Sequence, residues 1–306
     1  MLSPKIINYS VIIPHGKSLD TLSRAIDSVP QREDIEVIVV DNTPTPIAKT
    51  EVNSNRDYVL LFSAPNRHAG GARNDGVRQA IGKYLLFLDA DDFFNEGAFD
   101  IFDRYLNSSF DIVYFDVVSK YSDTLDDCNR SEETNLLFKK YQQDGDVSIF
   151  RYRYYTPWCK LVRREFVVDK VIMFDEVEAC NDLMFSMRSG MYASLVYADC
   201  SKPYCVTVRK GSLVHHVTKE RSRTRYKVMI DQCIFMKSSG HPEYAIHMQS
   251  CVLKALKYYG WTEFIWYVKY AHQHDVSLLR GSGDFMMSVL RKIWKHDSSR
   301  SYKSRQ

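Results

Sequence analysis

The sequence predicts an α/β protein: a mixed, mostly parallel sheet flanked by helices, with a helical C-terminal extension. Two observations carry this. Four short apolar, β-branched runs recur in the first third, "YSVIIP" (9–14), "IEVIVVD" (35–41), "DYVLLFS" (57–63) and "KYLLFLDAD" (83–91). Each is too continuous for a half-exposed strand and suits a strand buried on both faces. Segments with helical spacing separate them, and strand alternating with helix implies right-handed crossovers onto one sheet.

Taken in order, the first run ends in Pro14-His15, and "SLDTLSRAIDSV" then places Leu19, Leu22, Ala25, Ile26 and Val29 on one helical stripe. The second run ends in Asp41. After the third, "APNRHAGGARNDG" carries Arg67, His68, Arg73 and two adjacent glycines at a predicted strand-to-helix turn, and the helix "GGARNDGVRQAIG" closes on a glycine suited to a C-terminal cap. The fourth run ends in Asp89, Asp91 and Asp92. From 111, "DIVYFDVVSKYS" reads as another strand, 120–150 as polar and irregular, and 157–210 as short apolar runs with the helix "NDLMFSMRSGMYA". Beyond 211 the chain reads as helical, so the expected division is 1–215 and 216–306.

In such sheets ligands bind beyond the carboxyl ends of the strands. Pro14, His15, Asp41 and Asp89 are therefore expected at one rim. Three carboxylates at a strand mouth repel one another unless a cation or donors are present. They read either as a metal site, with one or two carboxylates plus phosphate oxygens around a hard cation, or as a solvated turn in which Asp91 or Asp92 caps the helix expected at "NEGAFDIFDRYL". Glycines permit close backbone approach, and helix N-termini with arginines attract anions, so the stretch 64–76 implies a phosphate-bearing ligand.

The 306 residues contain 45% hydrophobic and 26% charged residues with few glycines and prolines, which excludes a disordered or fibrous chain. A net charge of +3 is too small to imply nucleic-acid binding. The N-terminus lacks a secretory cleavage pattern, and no apolar run approaches the roughly 18–20 residues of a membrane span. A cytoplasmic protein is expected. Seven scattered cysteines with no C-x-x-C pair are expected to be reduced thiols. "IIPHGKS" lacks the first glycine of a phosphate-binding loop, and "AGGARNDG" fails the G-x-G-x-x-G spacing of a dinucleotide site. The stretch "DFMMSVLRKIWKHDSSRSYKSRQ" joins an apolar, Trp-bearing stripe to a basic tail, and reads either as a helix docked on its own core or as a peripheral contact with an anionic membrane surface.

Several stretches in order carry a family resemblance: "YSVIIPHGKSLDTLSRAIDSV", "IEVIVVDNT", "APNRHAGGARNDGVRQAIGKYLLFLDADD", "TPWCKLVRREFV" and "NDLMF". Across roughly 9–215 the chain resembles the family 2 glycosyltransferases, which have the GT-A (Rossmann-like) fold. The resemblance implies a nucleotide-sugar donor, usually a UDP-sugar, bound with Mn²⁺ or Mg²⁺, and transfer with inversion to a hydroxyl of a glycan or lipid-linked acceptor in polysaccharide synthesis. Asp41 is then expected to contact the uracil, with Pro14 and His15 lining the same pocket. Asp89 is expected near the ribose and Asp91 on the metal, the two forming the D-x-D element. Arg73 and Asn74 match the "ARN" near the nucleotide, and Asp182 takes the place of the catalytic base. Trp158 and Lys160 match an acceptor-side "W-x-K" stretch, with a core role for Trp158 equally open. Arg209 and Ser212 match a late "R-x-x-S" element, and His215 and His216 are candidate metal ligands. "DNTPTP" and Asn181 depart from the family's usual residues, at base recognition and beside the base respectively. Two rivals are an aspartate-nucleophile phosphatase, disfavoured by Phe93 where such enzymes have threonine, and a catalytically silent nucleotide-sugar or glycan-binding module.

Overall fold

The computed structural model describes residues 6–16, 19–209 and 218–278. The first unit opens with β1 (Tyr9–His15), α1 (Leu19–Asp27), β2 (Ile35–Asp41), β3 (Val59–Phe62), α2 (His68–Gln79) and β4 (Tyr84–Phe87). It continues with β5 (Phe93–Phe94), α3 (Ala98–Asp103), β6 (Ile112–Tyr121), α4 (Glu132–Asp144), α5 (Ser148–Arg153), β7 (Lys160–Arg163), α6 (Arg164–Asp169), α7 (Leu183–Tyr192) and β8 (Val196–Val208). The strands form one mixed sheet in the order β3-β2-β1-β4-β7-β6-β8-β5. The half built from β1 to β4 is parallel, whereas β7 runs antiparallel to both β4 and β6.

β1, β2 and β4 are buried almost throughout, as their continuous apolar runs require. β3 is not. It lies at the sheet edge, and Val59 and Phe62 stand 39% and 53% exposed. Apolarity alone does not distinguish an edge from a centre. The α1 stripe holds: Leu22, Ala25, Ile26 and Val29 are buried on the sheet.

Gly82 does not cap α2. The helix ends at Gln79 with Ala80 in extended conformation, and Gly82 instead lets its backbone approach β1, where a Cβ would lie 2.7 Å from the Ser10 nitrogen. The segment 120–150 is also not irregular, because α4 and α5 occupy much of it. On α4 only Phe138 is buried, so its apolar face is too narrow for periodicity to reveal. Neither Asp91 nor Asp92 caps α3, whose N-cap is Gly97 in left-handed conformation. All seven cysteines are free thiols.

The second unit begins within α8 (Lys219–Ser238), the division falling between Val228 and Met229, and contains α9 (Gln249–Tyr259) and α10 (Trp261–Gln273). Among the described residues no helix is long and apolar enough to cross a membrane. Gly82→Ala is expected to destabilise the first unit by about 1–3 kcal/mol, read from the midpoint of urea unfolding, because the new methyl meets backbone that cannot swing away.

Candidate active site

A cleft of about 820 Å³ opens over the carboxyl ends of the parallel strands, lined by Pro14, Asn42, Arg73, Asp89, Asp91 and Arg209 among others. The register explains the convergence: His15 pairs with Asp41 across β1 and β2, and Leu88 of the segment leaving β4 donates its N–H to Ile12.

The three aspartates after β4 have three different surroundings. Asp92 is buried, accepting hydrogen bonds from the Tyr204 hydroxyl at 2.8 Å and the Thr207 N–H at 2.6 Å. Burial, with the charges of Asp91 and Asp89 nearby, pushes its carboxyl well above the usual range. Asp89 is half-buried and pairs with the Arg73 guanidinium at 2.6 Å. Asp91 is exposed and faces the cleft, and its carbonyl oxygen accepts from Arg24 at 2.7 Å and from the Thr207 hydroxyl at 2.5 Å. The three carboxyls thus do not share one surface: Asp92 is buried, Asp89 is ion-paired and Asp91 is exposed at the cleft. Among the described residues no three His, Cys, Asp or Glu side chains are grouped as a ligand set. A donor set of Asp91 with Asp89 fits a hard cation that takes its remaining ligands from phosphate and water.

Helix α2 supplies Arg73. Gly70 and Gly71 stand inside its first turn, not in a turn ahead of it. Added Cβ atoms would strike the Asp175 carbonyl and the Arg67 side chain respectively. Both glycines therefore serve contacts within the protein. Arg67 likewise turns away from the cleft lining, held between Asp75 at 2.7 Å and Glu176 at 2.6 Å. Arg73 and Asn74 are neighbours on a helix, about 100° apart, and face different partners. Arg73 reaches Asp89 and Asn181, whereas Asn74 is 2% exposed and grips the backbone of Phe174 through both amide atoms.

Asp41 and His15 lie beneath the cleft. Asp41 is 1% exposed, taking hydrogen bonds from His15, from the Thr43 N–H and hydroxyl and from the Ile47 N–H. It therefore shapes the loop after β2, and neither it nor His15 lines the cavity. Pro14 and Asn42 do.

Asp182 stands at the N-cap position of α7 with no side-chain capping bond. Burial raises its carboxyl above the usual range, against the opposing pull of Arg73; Asp89 raises it further and Lys160 lowers it. Its neighbour Asn181 lines the cleft and accepts from Arg73 at 2.9 Å. Lys160 is 2% exposed, donating to the Tyr154 carbonyl at 3.0 Å and the Ser186 hydroxyl at 3.3 Å, with its ammonium over the rings of Tyr114 and Tyr154. Trp158 stacks on Tyr204 at 5.4 Å and is 8% exposed. Both pack in the core.

The family model described as Glycosyl transferase family 2 matches residues 10–169, just over half of the chain. The chain belongs to glycosyl transferase family 2. It is 25% identical over 240 residues to a poly(ribitol-phosphate) beta-glucosyltransferase of Bacillus spizizenii, covering 75% of this chain and 37% of that protein. To the poly(ribitol-phosphate) beta-N-acetylglucosaminyltransferase TarS of Staphylococcus aureus it is 24% identical, covering 67% of this chain and 36% of that protein. It thus spans little more than a third of these relatives' length. The crystal structure of S. aureus TarS superposes with a TM-score of 0.57 at 19% identity, covering 75% of this chain and 40% of that one. A shorter TarS structure, residues 1–349 in complex with UDP-GlcNAc, gives 0.54 at 20% identity, covering 74% and 66%. These likenesses establish the GT-A fold.

Within this family 2 chain, the cleft also gathers Thr21, Thr207, Glu178 and Arg221, none of which the sequence singles out. Thr207 comes from β8, whose return beside β6 brings it to Asp91 and Asp92. No local pattern announces such a partner. Arg209 is exposed and lines the cleft. Ser212, His215, His216 and the basic stretch from 284 onward lie outside the described residues.

Desolvation lowers the Lys160 ammonium from 10.5 to about 7, with Asp182 and Cys159 opposing. Between pH 7 and 10 the unfolded chain then binds the additional proton, so stability rises with pH across that window. Measured against Lys160→Met, the wild type is expected to gain up to about 1.4 kcal/mol per pH unit there, read by denaturant titration at several pH values.

Proposed function

We propose that this chain is an inverting, metal-dependent glycosyltransferase that moves a hexosyl or N-acetylhexosaminyl group from a nucleotide-diphosphate sugar, a UDP-sugar, to a hydroxyl of a glycan or lipid-linked acceptor. Its setting is polysaccharide synthesis at the cytoplasmic face of the membrane. One observation carries the reading: Asp89, Asp91 and Arg73 meet in a single cleft at the carboxyl ends of the parallel strands, with Asn181 beside them and Asp182 next in the chain. The poly(ribitol-phosphate) glycosyltransferase relatives and the UDP-GlcNAc complex of the TarS fold neighbour support it.

The cleft volume lies within the roughly 300–1,000 Å³ usual for small-molecule sites. Asp91, with Asp89 beside it, would hold Mn²⁺ or Mg²⁺, which when bound offsets negative charge on the diphosphate. Arg73 contributes a fixed positive charge to the same departure. Its Nε is buried without a hydrogen-bond partner, while its terminal nitrogens are anchored by Asp89 and Asn181. Such a group is preorganised, needing little reorientation as charge develops. Pro14, Asn42 and the first turn of α2 offer a wall for the nucleotide. Asp182 accepts the acceptor hydroxyl's proton, and its raised pKa improves a carboxylate for that task.

The test pairs thermal stabilisation by UDP-sugars in Mn²⁺ with turnover. Asp91→Ala is expected to lose the metal-dependent part of donor stabilisation. Asp182→Asn is expected to keep donor stabilisation and lose turnover by roughly 10²–10⁴. Wild-type turnover in the Asp182→Asn variant would remove the base, and absence of stabilisation by any nucleotide sugar would remove the donor reading.

A further inference from the structure

We propose that the α9–α10 helix pair docks on an anionic lipid surface through Tyr258, Trp261 and Ile265, flanked by Lys254, Lys257 and Lys269. This stands on the second unit alone and does not depend on the transferase reading.

The two helices sort their residues by face. On α10, Glu263, Tyr267 and Ala271 recur every fourth position and are 0%, 1% and 0% exposed. Trp261, Ile265 and Lys269 recur at the same interval two residues out of step, about 200° around the helix, and all three are exposed, Trp261 at 68% and Ile265 at 47%. On α9 the inward set is Val252 and Ala255, and the outward set is Lys254, Lys257 and Tyr258, the last 61% exposed. Gly260 alone joins the helices, with φ of +83° and open space around its Cβ position. Tyr258 and Trp261 therefore flank one turn.

Charge selects the occupant. Within the two helices the exposed formal charges are the three lysines, while the acid, Glu263, is buried. Basic side chains around exposed aromatic rings complement an anionic surface. Trp and Tyr have an apolar body with a polar atom, which suits the headgroup boundary, and lysine stems lie along apolar surface with the ammonium outward. Lys257 lies over the Tyr258 ring at 5.8 Å, so one cation and one ring already share the patch. Three apolar side chains are too few for a stable protein interface, which buries about 800 Å² per partner.

Co-sedimentation of the full chain with vesicles tests this, comparing phosphatidylcholine alone with phosphatidylcholine containing phosphatidylglycerol. The wild type is expected to bind the anionic vesicles at low salt and not the neutral ones. Trp261→Ser with Ile265→Ser, and separately Lys254→Glu with Lys257→Glu, are each expected to weaken binding by about tenfold or more with unfolding midpoints unchanged. No wild-type binding, undiminished binding in both variants, or binding lost only on removing residues 284–306 would each overturn the proposal. So would a wild-type dimer in sedimentation equilibrium that both variants dissolve, because the patch would then belong to a second copy.

Discussion

Repulsion among carboxylates crowded at the mouth of β4 is the constraint on which the rest of the cleft depends. Three negative charges within four residues cannot share one polar surface at neutral pH without compensation. The fold separates them. Asp92 turns inward to Tyr204 and Thr207, Asp89 pairs with Arg73, and Asp91 is left to the cleft with its backbone held by Arg24 and Thr207. The contacts draw on three elements: β8 holds Asp92 and, together with α1, the Asp91 backbone, and α2 pairs with Asp89. The acidic cluster thus ties the edges of the cleft together as well as supplying its charge.

Arg73 extends that tie to the far wall. Its two terminal nitrogens join the loop after β4 to Asn181, two residues before α7, and its guanidinium lies over Phe174 at 5.4 Å. Phe174 in turn stacks on Phe185 of α7 at 3.8 Å. Its backbone is gripped by Asn74, while Gly70 lets α2 approach the neighbouring backbone of Asp175. Residues of the "GGARN" stretch that never line the cleft therefore hold the segment leading to Asp182 against α2. Asp89 and the segment that leads to Asp182 are positioned through one packed, hydrogen-bonded junction.

Lys160 shows how the same region stores electrostatic tension. Desolvation disfavours the charged form of both Lys160 and Asp182, and each pulls the other toward its charged form. Lys160 also donates to Ser186, one turn into α7. It thus contacts, from within the core, the helix that Asp182 precedes.

The sequence by itself determined the parallel half of the sheet, because apolar runs alternate with helical segments, although β3 shows that such a run can also lie at an exposed edge, and it determined that Asp41, Asp89 and Pro14 lie near one rim, because strand ends in a parallel sheet point the same way. It also identified the polar stretches that family 2 membership explains. Which side chains enter the cleft was decided by tertiary structure. Arg73 and Asn74 are adjacent in sequence yet diverge by a helical rotation, Asp41 is consumed by the loop it folds, and Arg67 is neutralised by Glu176, more than a hundred positions away. Thr207, the partner of two of the aspartates, arrives on β8 from 115 residues downstream of Asp92. Local pattern reports burial and direction, which a chain sets over a few residues; the identity of a charge's partner depends on contacts between distant segments, and those exist only once the sheet has closed.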